Sequence, residues 1–211
     1  SNSAPKIAVN EAAVPTPEQF EEDGKTVPDP HVFHSAQNGI RIAEVIRDNL
    51  GKLSPNNATS YEKNTERITT ELAQIDNWIK SQVSTISQNS RTVVTTHDAL
   101  GYYAKAYNVN VETLEGISTE EKPTATQVKE VVKTVQEKKV PMIFAELTVN
   151  PQFIETVARE SNVKVAEQEI FADGLGESGS EGETYQQMLI TNTRTIVEGL
   201  GGQFTPFQPK S

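Results

Sequence analysis

Short strands and helices alternate along the second half of the chain, and this alternation constrains the fold more than any other feature. The predicted strands cover 92–95, 111–114, 142–145 and part of 163–171. The predicted helices between and after them cover 99–107, 124–135, 151–160 and 183–200. Thr124 and Gln127 form a predicted capping box for the second of these helices. Because such alternation builds parallel sheets through right-handed crossovers, the sequence predicts an α/β fold over residues 90–211, a parallel β-sheet lobe with flanking helices.

A long helical pattern precedes this lobe and runs from about Pro55 to Ser87. Ser54 and Pro55 read as an N-cap and a first helical residue. The apolar positions fall into two adjacent rows, formed by Tyr61, Ile68 and Ile75 and by Leu72, Ile79 and Ile86. At ~1.5 Å per residue the helix extends about 45 Å, which is more than one small lobe covers. We therefore expect a long interlobe backbone helix with partly exposed apolar rows, preceded by a shorter helix over 36–51.

The remaining segments give weaker signals. Lys6–Val9 reads as a short strand, and residues 10–30 read as a loop rich in proline and acidic residues. Asp98 is expected to cap the helix that follows it. Residues 204–211 read as a loose tail.

Composition excludes several classes of protein. The chain has 29 acidic residues against 19 Lys and Arg, a net charge of −10, so no nucleic-acid partner is expected. The absence of cysteine excludes a disulfide framework, a thiolate metal site and a cysteine nucleophile. No apolar run approaches the ~20 residues that span a bilayer. Residues 1–5 do not read as a signal peptide, so the protein is either cytoplasmic or has lost its targeting segment.

Residues that bind metals or transfer protons follow each predicted strand. They are His97, Glu115, Glu146 and Asp173. Because ligands of open α/β sheets bind beyond the carboxyl ends of the strands, we expect these side chains to share one edge. The other two histidines, His31 and His34, both lie in the segment 29–34. The sequence therefore allows a metal site that is assembled by topology rather than by local spacing.

Each of these residues also has an ordinary structural interpretation. His97 before Asp98 is compatible with a loop residue that bonds to the backbone, and Asp173-Gly174 is a common turn dipeptide. Glu146 is placed to cap a turn or to pair with a lysine. No compact metal-binding spacing, P-loop or dinucleotide fingerprint occurs, and the Gly-x-Ser-x-Gly elbow of hydrolases is missing.

Several segments, taken in their order along the chain, together resemble one family, the metal-specific solute-binding proteins of ABC transporters. Asp29-Pro30-His31-Val32-Phe33 is similar to its Asp-Pro-His-x-Trp motif, with Phe33 in place of the tryptophan. The other matching segments are 38–40 and 93–103, the Glu-rich turn 119–124, then 144–146, 170–173 and 181–185. The family includes zinc, manganese and iron receptors, and some members were first described as streptococcal adhesins. The resemblance runs from about Lys6 to Leu200.

The resemblance implies that His31, His97 and Asp173 are metal ligands. It also implies two α/β lobes joined by one rigid helix, with the metal between them and two ligands from each lobe. The corresponding parts of this chain are 1–30, a remnant of the N-terminal lobe; 31–89, a helix and the interlobe helix; and 90–211, the metal-binding lobe. In the family a whole first lobe precedes this point and supplies another histidine, so we expect a receptor that lacks most of that lobe.

The family's function suggests capture and delivery of a metal rather than catalysis. With three imidazoles and one carboxylate in the intact site, zinc is favoured and manganese comes next. An extracytoplasmic or periplasmic location, a lipid anchor in the full-length protein and an ABC permease as membrane partner are implied. We expect weak metal binding by this chain, self-association through the exposed rows of the long helix, and Asp98 or Glu146 as partners that orient His97.

Other interpretations stay open at the level of sequence. His34 is expected at the surface, although it is also a candidate replacement ligand. The fold could instead serve an adhesion or protein-interaction surface that binds no metal. An enzyme that uses His97 and Glu146 as an acid–base pair is a further alternative, but the sequence suggests no substrate for it.

Overall fold

The computed structural model describes residues 4–22, 24–116 and 122–210, so Thr119–Glu121 of the predicted Glu-rich turn lies outside the described residues. The helices are α1 Val9–Ala13, α2 Ala36–Leu53, α3 Ala58–Ser84, α4 Gly101–Tyr107, α5 Ala125–Glu137, α6 Gln152–Ser161 and α7 Tyr185–Gly199. The strands are β1 Gln19–Glu22, β2 Lys25–Pro28, β3 Thr92–Thr95, β4 Asn110–Thr113, β5 Met142–Ile143 and β6 Lys164–Val165. Among these helices none is both long and apolar enough to cross a membrane.

The predicted parallel sheet is confirmed. Strand β3 pairs in parallel with β4, and β5 pairs in parallel with β6. The amide N–H of Phe144 donates a 2.9 Å hydrogen bond to the carbonyl of Val94, which joins the two pairs in the order β4-β3-β5-β6. A parallel bridge between Glu146 and Ile170 extends the sheet at the same end. The chain order reverses between β3 and β5, and ligands of open α/β sheets bind beyond the strand ends at such a point.

Both faces of the sheet are buried, because neighbouring residues of a strand point to opposite faces. Val93 and Phe144 face a core shared with α3 and α7, whereas Val94 and Ile143 face a core shared with α5 and α6. All four side chains have a relative exposure of 0%. Full burial of such side chains contributes about 1.5–3 kcal/mol each. This explains why the central strands read as unbroken apolar or β-branched runs.

The long helix is present, but most residues of its two apolar rows are buried, and only Tyr61 and Ile68 stay partly exposed. α3 begins at Ala58 after a 3₁₀ turn at Pro55–Asn57, and Ser54 provides no side-chain cap. Leu72 and Ile79 on this helix are almost fully buried. Helices α2 and α7 pack against α3 and cover these rows. Self-association and the three-part division of the chain therefore stay predictions. The buried rows of α3 no longer support self-association.

The N-terminal segment differs from the prediction of a strand at Lys6–Val9 followed by a loop. α1 occupies Val9–Ala13, and β1 and β2 form an antiparallel hairpin in which Phe20 pairs with Val27. Gly24, in the turn, has a φ of +71°, which L-residues with a side chain rarely adopt. The signal for this hairpin is weak because charged residues flank its few apolar positions.

The predicted loose tail is also wrong, since the C-terminal segment packs along α3. The Trp78 indole Nε1–H donates to the Thr205 carbonyl at 2.9 Å. The rings of Phe204 and Phe207 lie 6.0 Å and 5.9 Å from the Trp78 ring. Two aromatic contacts and a hydrogen bond therefore fasten a stretch that contains no helix or strand.

The other two capping predictions have opposite outcomes. Thr124 and Gln127 form the capping box at the start of α5. Asp98 does not cap α4, because this helix begins at Gly101 with Leu100 at the N-cap position. The chain makes an additional turn after β3 before the helix starts, and this turn carries His97.

Candidate metal site

The three predicted ligands meet at the carboxyl edge of the sheet. His97 follows β3, Asp173 follows the bridge at Ile170, and His31 directly precedes a 3₁₀ turn at Val32–His34. Asp173 Oδ1 lies 3.1 Å from His97 Nε2 and 3.3 Å from His31 Nε2. One atom from each side chain lies within 4.8 Å of the other two. Of the residues that the structure describes, this is the only group of three placed to share a metal ion.

Asp29 orients the His31 ring. Its Oδ1 accepts hydrogen bonds from the His31 backbone N–H at 2.9 Å and from Nδ1 at 2.8 Å. Since a carboxylate oxygen accepts, Nδ1 carries the proton and Nε2 presents its lone pair to the cluster. Both side chains are only 7% exposed, so the contact lies out of reach of bulk water. This is the carboxylate–histidine arrangement that fixes the tautomer of metal-binding imidazoles.

Glu146 has the same relation to His97. Its Oε1 lies 2.5 Å from His97 Nδ1, in an ion-pair contact off the direction of a well-formed hydrogen bond. Its Oε2 accepts the backbone N–H groups of Thr96 at 2.7 Å and of His97 at 3.2 Å. Both side chains are 1% exposed. Glu146 therefore orients His97, as the sequence predicted, whereas Asp98 makes no hydrogen bond or ion pair with that ring.

Asp173 is held through its second oxygen. The Thr148 hydroxyl donates to Oδ2 at 2.9 Å, which leaves Oδ1 for the two histidines. Its side chain is 40% exposed, so the cluster opens to solvent on this side.

The glycine-rich loop that follows has a packing role. A Cβ on Gly176 or Gly182 would lie only 2.7 Å or 2.5 Å from the buried Phe171 ring. Glycine at these two positions lets the loop close over that ring. The loop thereby covers Phe171, two residues before Asp173. Packing against this ring accounts for the two glycines without a phosphate-binding role.

The protonation of the cluster follows from its geometry. Burial lowers the pKa of His97, but its contacts with Glu146 and Asp173 outweigh burial and leave the pKa raised. Burial alone would raise the pKa of Asp173, yet the nearby His97, the hydrogen bond from Thr148 and the contacts with the two histidines hold that pKa below its usual value. Two imidazole lone pairs and a carboxylate oxygen thus point at one small volume. A proton or a metal cation in that volume removes the repulsion between them.

His34 contradicts the sequence-based expectation of a surface residue. It is 0% exposed, and its Nε2 lies 2.7 Å from the carbonyl oxygen of Ala172. Burial lowers its pKa to about 4, so the ring is neutral at neutral pH. His34 is not part of the three-residue cluster, so the alternative of a replacement ligand has no support from the geometry.

Glu115, the remaining candidate, is half-buried at the same edge of the sheet. It is outside the cluster, and its Oε2 has no hydrogen-bond partner.

Two residues of the site were not predicted from the sequence, Asp29 as the partner of His31 and Thr148 as the partner of Asp173. Asp29 has a local signal, since a carboxylate two residues before a histidine can bond to its backbone and ring. Thr148 has none, because 25 residues separate it from Asp173.

A family model described as "Zinc-uptake complex component A periplasmic" matches residues 1–199. Among curated relatives, the "Manganese-binding lipoprotein MntA" of Halalkalibacterium halodurans is 36% identical over 172 residues, which cover 82% of this chain and 57% of that protein. The "Manganese ABC transporter substrate-binding lipoprotein PsaA" of Streptococcus pneumoniae is 36% identical over 179 residues, 85% of this chain and 57% of the relative. The chain therefore spans a little over half the length of these relatives.

Solved structures agree with the fold. The periplasmic zinc-binding protein TroA from Treponema pallidum has a TM-score of 0.87 and 25% identity, covering 94% of this chain and 73% of its own. Fe(III)-bound YtgA from Chlamydia trachomatis has the same TM-score of 0.87 at 22% identity, covering 97% and 75%, and supports the fold alone. The curated relatives carry the names of binding proteins rather than enzymes, in agreement with the sequence-based prediction.

Proposed function

This chain belongs to the zinc-uptake component A family of metal-binding transporter proteins, and on that premise we propose that it captures a divalent transition metal. His31 Nε2, His97 Nε2 and Asp173 Oδ1 are the proposed ligand atoms. Each histidine is oriented by its own carboxylate, and Asp173 is oriented by Thr148. The metal is cargo in this proposal, so the site has to release it as well as hold it.

One observation carries the proposal. Three electron-pair donors converge within 4.8 Å, and the contacts on their far sides aim them at the same point. Both Nδ1 atoms face buried carboxylates, so both Nε2 atoms are available to an electron-pair acceptor. An acid–base enzyme, such as a hydrolase, needs one imidazole that gains and loses a proton. It does not need two imidazoles that both present Nε2 to the same carboxylate.

We favour zinc over manganese as the ion that this chain binds more tightly. Two imidazoles suit zinc and other borderline metals, and zinc stands above manganese in the general order of affinities. Because Thr148 occupies Asp173 Oδ2, the carboxylate offers a single oxygen, which suits a low coordination number. The names of MntA and PsaA make manganese the alternative cargo.

We also propose an extracytoplasmic location and delivery to a membrane permease. The lipoprotein and periplasmic names of the relatives support both. Since the chain spans 57% of the length of those curated relatives, delivery is a proposal about a receptor of their full length. Metal capture by His31, His97 and Asp173 is the part of the proposal that measurements on this chain can test.

Thermal unfolding provides the test, first with EDTA and then with Zn²⁺ or Mn²⁺. An ion present at about 100 times its dissociation constant adds about 2.7 kcal/mol. For a chain of this size that raises Tm by roughly 5–10 °C. His97→Ala should abolish the rise, and Glu167→Gln, which removes an exposed carboxylate outside the site, should keep it. No rise with either metal, or an equal rise in His97→Ala, would refute the proposed site.

A further inference from the structure

His34 is a buried polar side chain whose place in the fold the ligand set does not explain. Its Nε2 lies 2.7 Å from the Ala172 carbonyl, and because a carbonyl can only accept, Nε2 carries the proton. In the neutral ring Nδ1 is then an acceptor, and this buried atom has no hydrogen-bond partner. An aliphatic side chain would avoid leaving a buried acceptor unpaired, which is unfavourable. A buried unsatisfied atom of this kind calls for a reason.

The hydrogen bond of His34 joins the two chain segments that carry His31 and Asp173. His34 lies three residues after His31, and Ala172 directly precedes Asp173. The bonded residues are 138 positions apart in the sequence. The bond uses no atom of the proposed ligands, so a metal that binds to those atoms does not compete with it.

Helix α7 fastens the same two segments from behind. The Tyr185 hydroxyl donates to the Phe33 carbonyl at 2.6 Å. The Asn192 side chain accepts from the Phe171 N–H at 2.9 Å and donates to the Phe171 carbonyl at 3.0 Å. These bonds place each segment against α7. The bond from His34 to Ala172 connects the segments directly and sets the distance between them.

We propose that His34 is a positioning residue that holds the Asp173 segment against the His31 segment and so prepares the site for its metal. This inference rests on the proposed function. Without the bond, the two segments are held only through α7, so their alignment has to be completed when the metal binds, and the affinity falls accordingly. Loss of a partner that orients metal ligands lowers affinity by about 10- to 100-fold in other sites.

Zn²⁺ affinity, measured by competition with a chelating indicator, tests the role of His34 in a set of variants. His34→Leu replaces the donor with an apolar side chain that suits a buried position, and His34→Asn shortens the side chain so that its donor no longer reaches Ala172. His34→Gln carries an N–H donor at about the distance of Nε2. Tyr103→Phe is the matched control, because it removes a buried 3.0 Å hydrogen bond to Thr193 away from the cluster. Thermal unfolding in EDTA reports the stability of each variant.

We expect Leu and Asn at position 34 to weaken zinc binding by about tenfold or more, with Gln recovering most of the affinity. Tyr103→Phe should lower Tm and leave the affinity of the folded protein unchanged. If His34→Leu does not fold, the zinc affinities of His34→Asn and His34→Gln alone decide whether His34 has the positioning role. Equal affinities across the His34 variants, whatever their Tm, would overturn the inference and leave the proposed function intact. If the parent chain binds no metal, the proposed function fails and this inference fails with it.

Discussion

Replacement of Glu146 by glutamine tests the role of the carboxylate behind His97. The buried carboxylate uses both oxygens, Oε1 beside His97 Nδ1 and Oε2 as the acceptor of the Thr96 and His97 backbone N–H groups. A glutamine has the same shape but only one acceptor oxygen. Whichever way the amide is turned, its NH₂ group replaces a carboxylate oxygen that faces either His97 Nδ1 or the two backbone N–H groups.

The expected effects follow from those contacts. One buried N–H that loses its acceptor destabilises the fold by about 1–3 kcal/mol. At roughly 2–4 °C per kcal/mol, Tm in EDTA falls by about 2–12 °C. Zinc affinity falls by about 10- to 100-fold, because the imidazole loses its orienting partner. Burial already lowers the pKa of His97, and without the opposing contact of Glu146 that pKa falls. Fewer protons then compete with zinc for His97 in the variant, so the difference in zinc affinity between Glu146→Gln and the parent should narrow at acid pH.

Thermal unfolding in EDTA and zinc titrations at two pH values measure these effects. Glu115→Gln is the control, since Glu115 is a half-buried carboxylate at the same sheet edge whose Oε2 has no partner. Its zinc affinity should stay close to that of the parent. If Glu146→Gln binds zinc as tightly as the parent, the reasoning that this carboxylate orients His97 is refuted.

Three further predictions concern pH, metal preference and the C-terminal segment. Because the pKa of His97 lies above its ordinary value of 6.5, zinc affinity should rise with pH through a window above 6.5, and a competition titration that places the midpoint below 6.5 would contradict this. Thr148→Val frees Asp173 Oδ2 for a second metal bond, so the preference for zinc over manganese should shrink by about fivefold, the equivalent of one net hydrogen bond; an unchanged ratio of dissociation constants would oppose this account. Deletion of residues 204–211 exposes Trp78, so its fluorescence should shift to the red and Tm should fall by about 4–8 °C for a loss of about 2 kcal/mol; unchanged emission would mean that the segment is not docked in solution.

The α/β lobe was predictable because its signals are local. The strands are buried on both faces and read as short apolar or β-branched runs, and the capping box at Thr124 marks a helix start. The N-terminal hairpin and the docked tail were missed for opposite reasons. The hairpin depends on cross-strand pairing of Phe20 with Val27 among charged residues, and the tail depends on Trp78, more than 120 residues away.

The site likewise has one part that the sequence predicted and another part that it did not. His97 and Asp173 could be placed at one edge from the topology of the sheet, whereas His31 was assigned through the resemblance alone. The contacts that prepare the ligands were harder to predict, since Thr148 and His34 act across 25 and 138 residues. His34 was expected at the surface because nothing local marks it as buried. Its burial depends on the Asp173 segment packing over it, which only the folded chain shows.

In the proposed function one metal ion binds at His31, His97 and Asp173. Anomalous diffraction from crystals grown with Zn²⁺, and separately with Mn²⁺, measures the ion's position directly. We expect one strong peak about 2.0–2.2 Å from His31 Nε2, His97 Nε2 and Asp173 Oδ1 in the zinc crystals, with the Thr148 contact to Oδ2 retained. A peak at another group of side chains, or no peak at this cluster with zinc in excess, would contradict it.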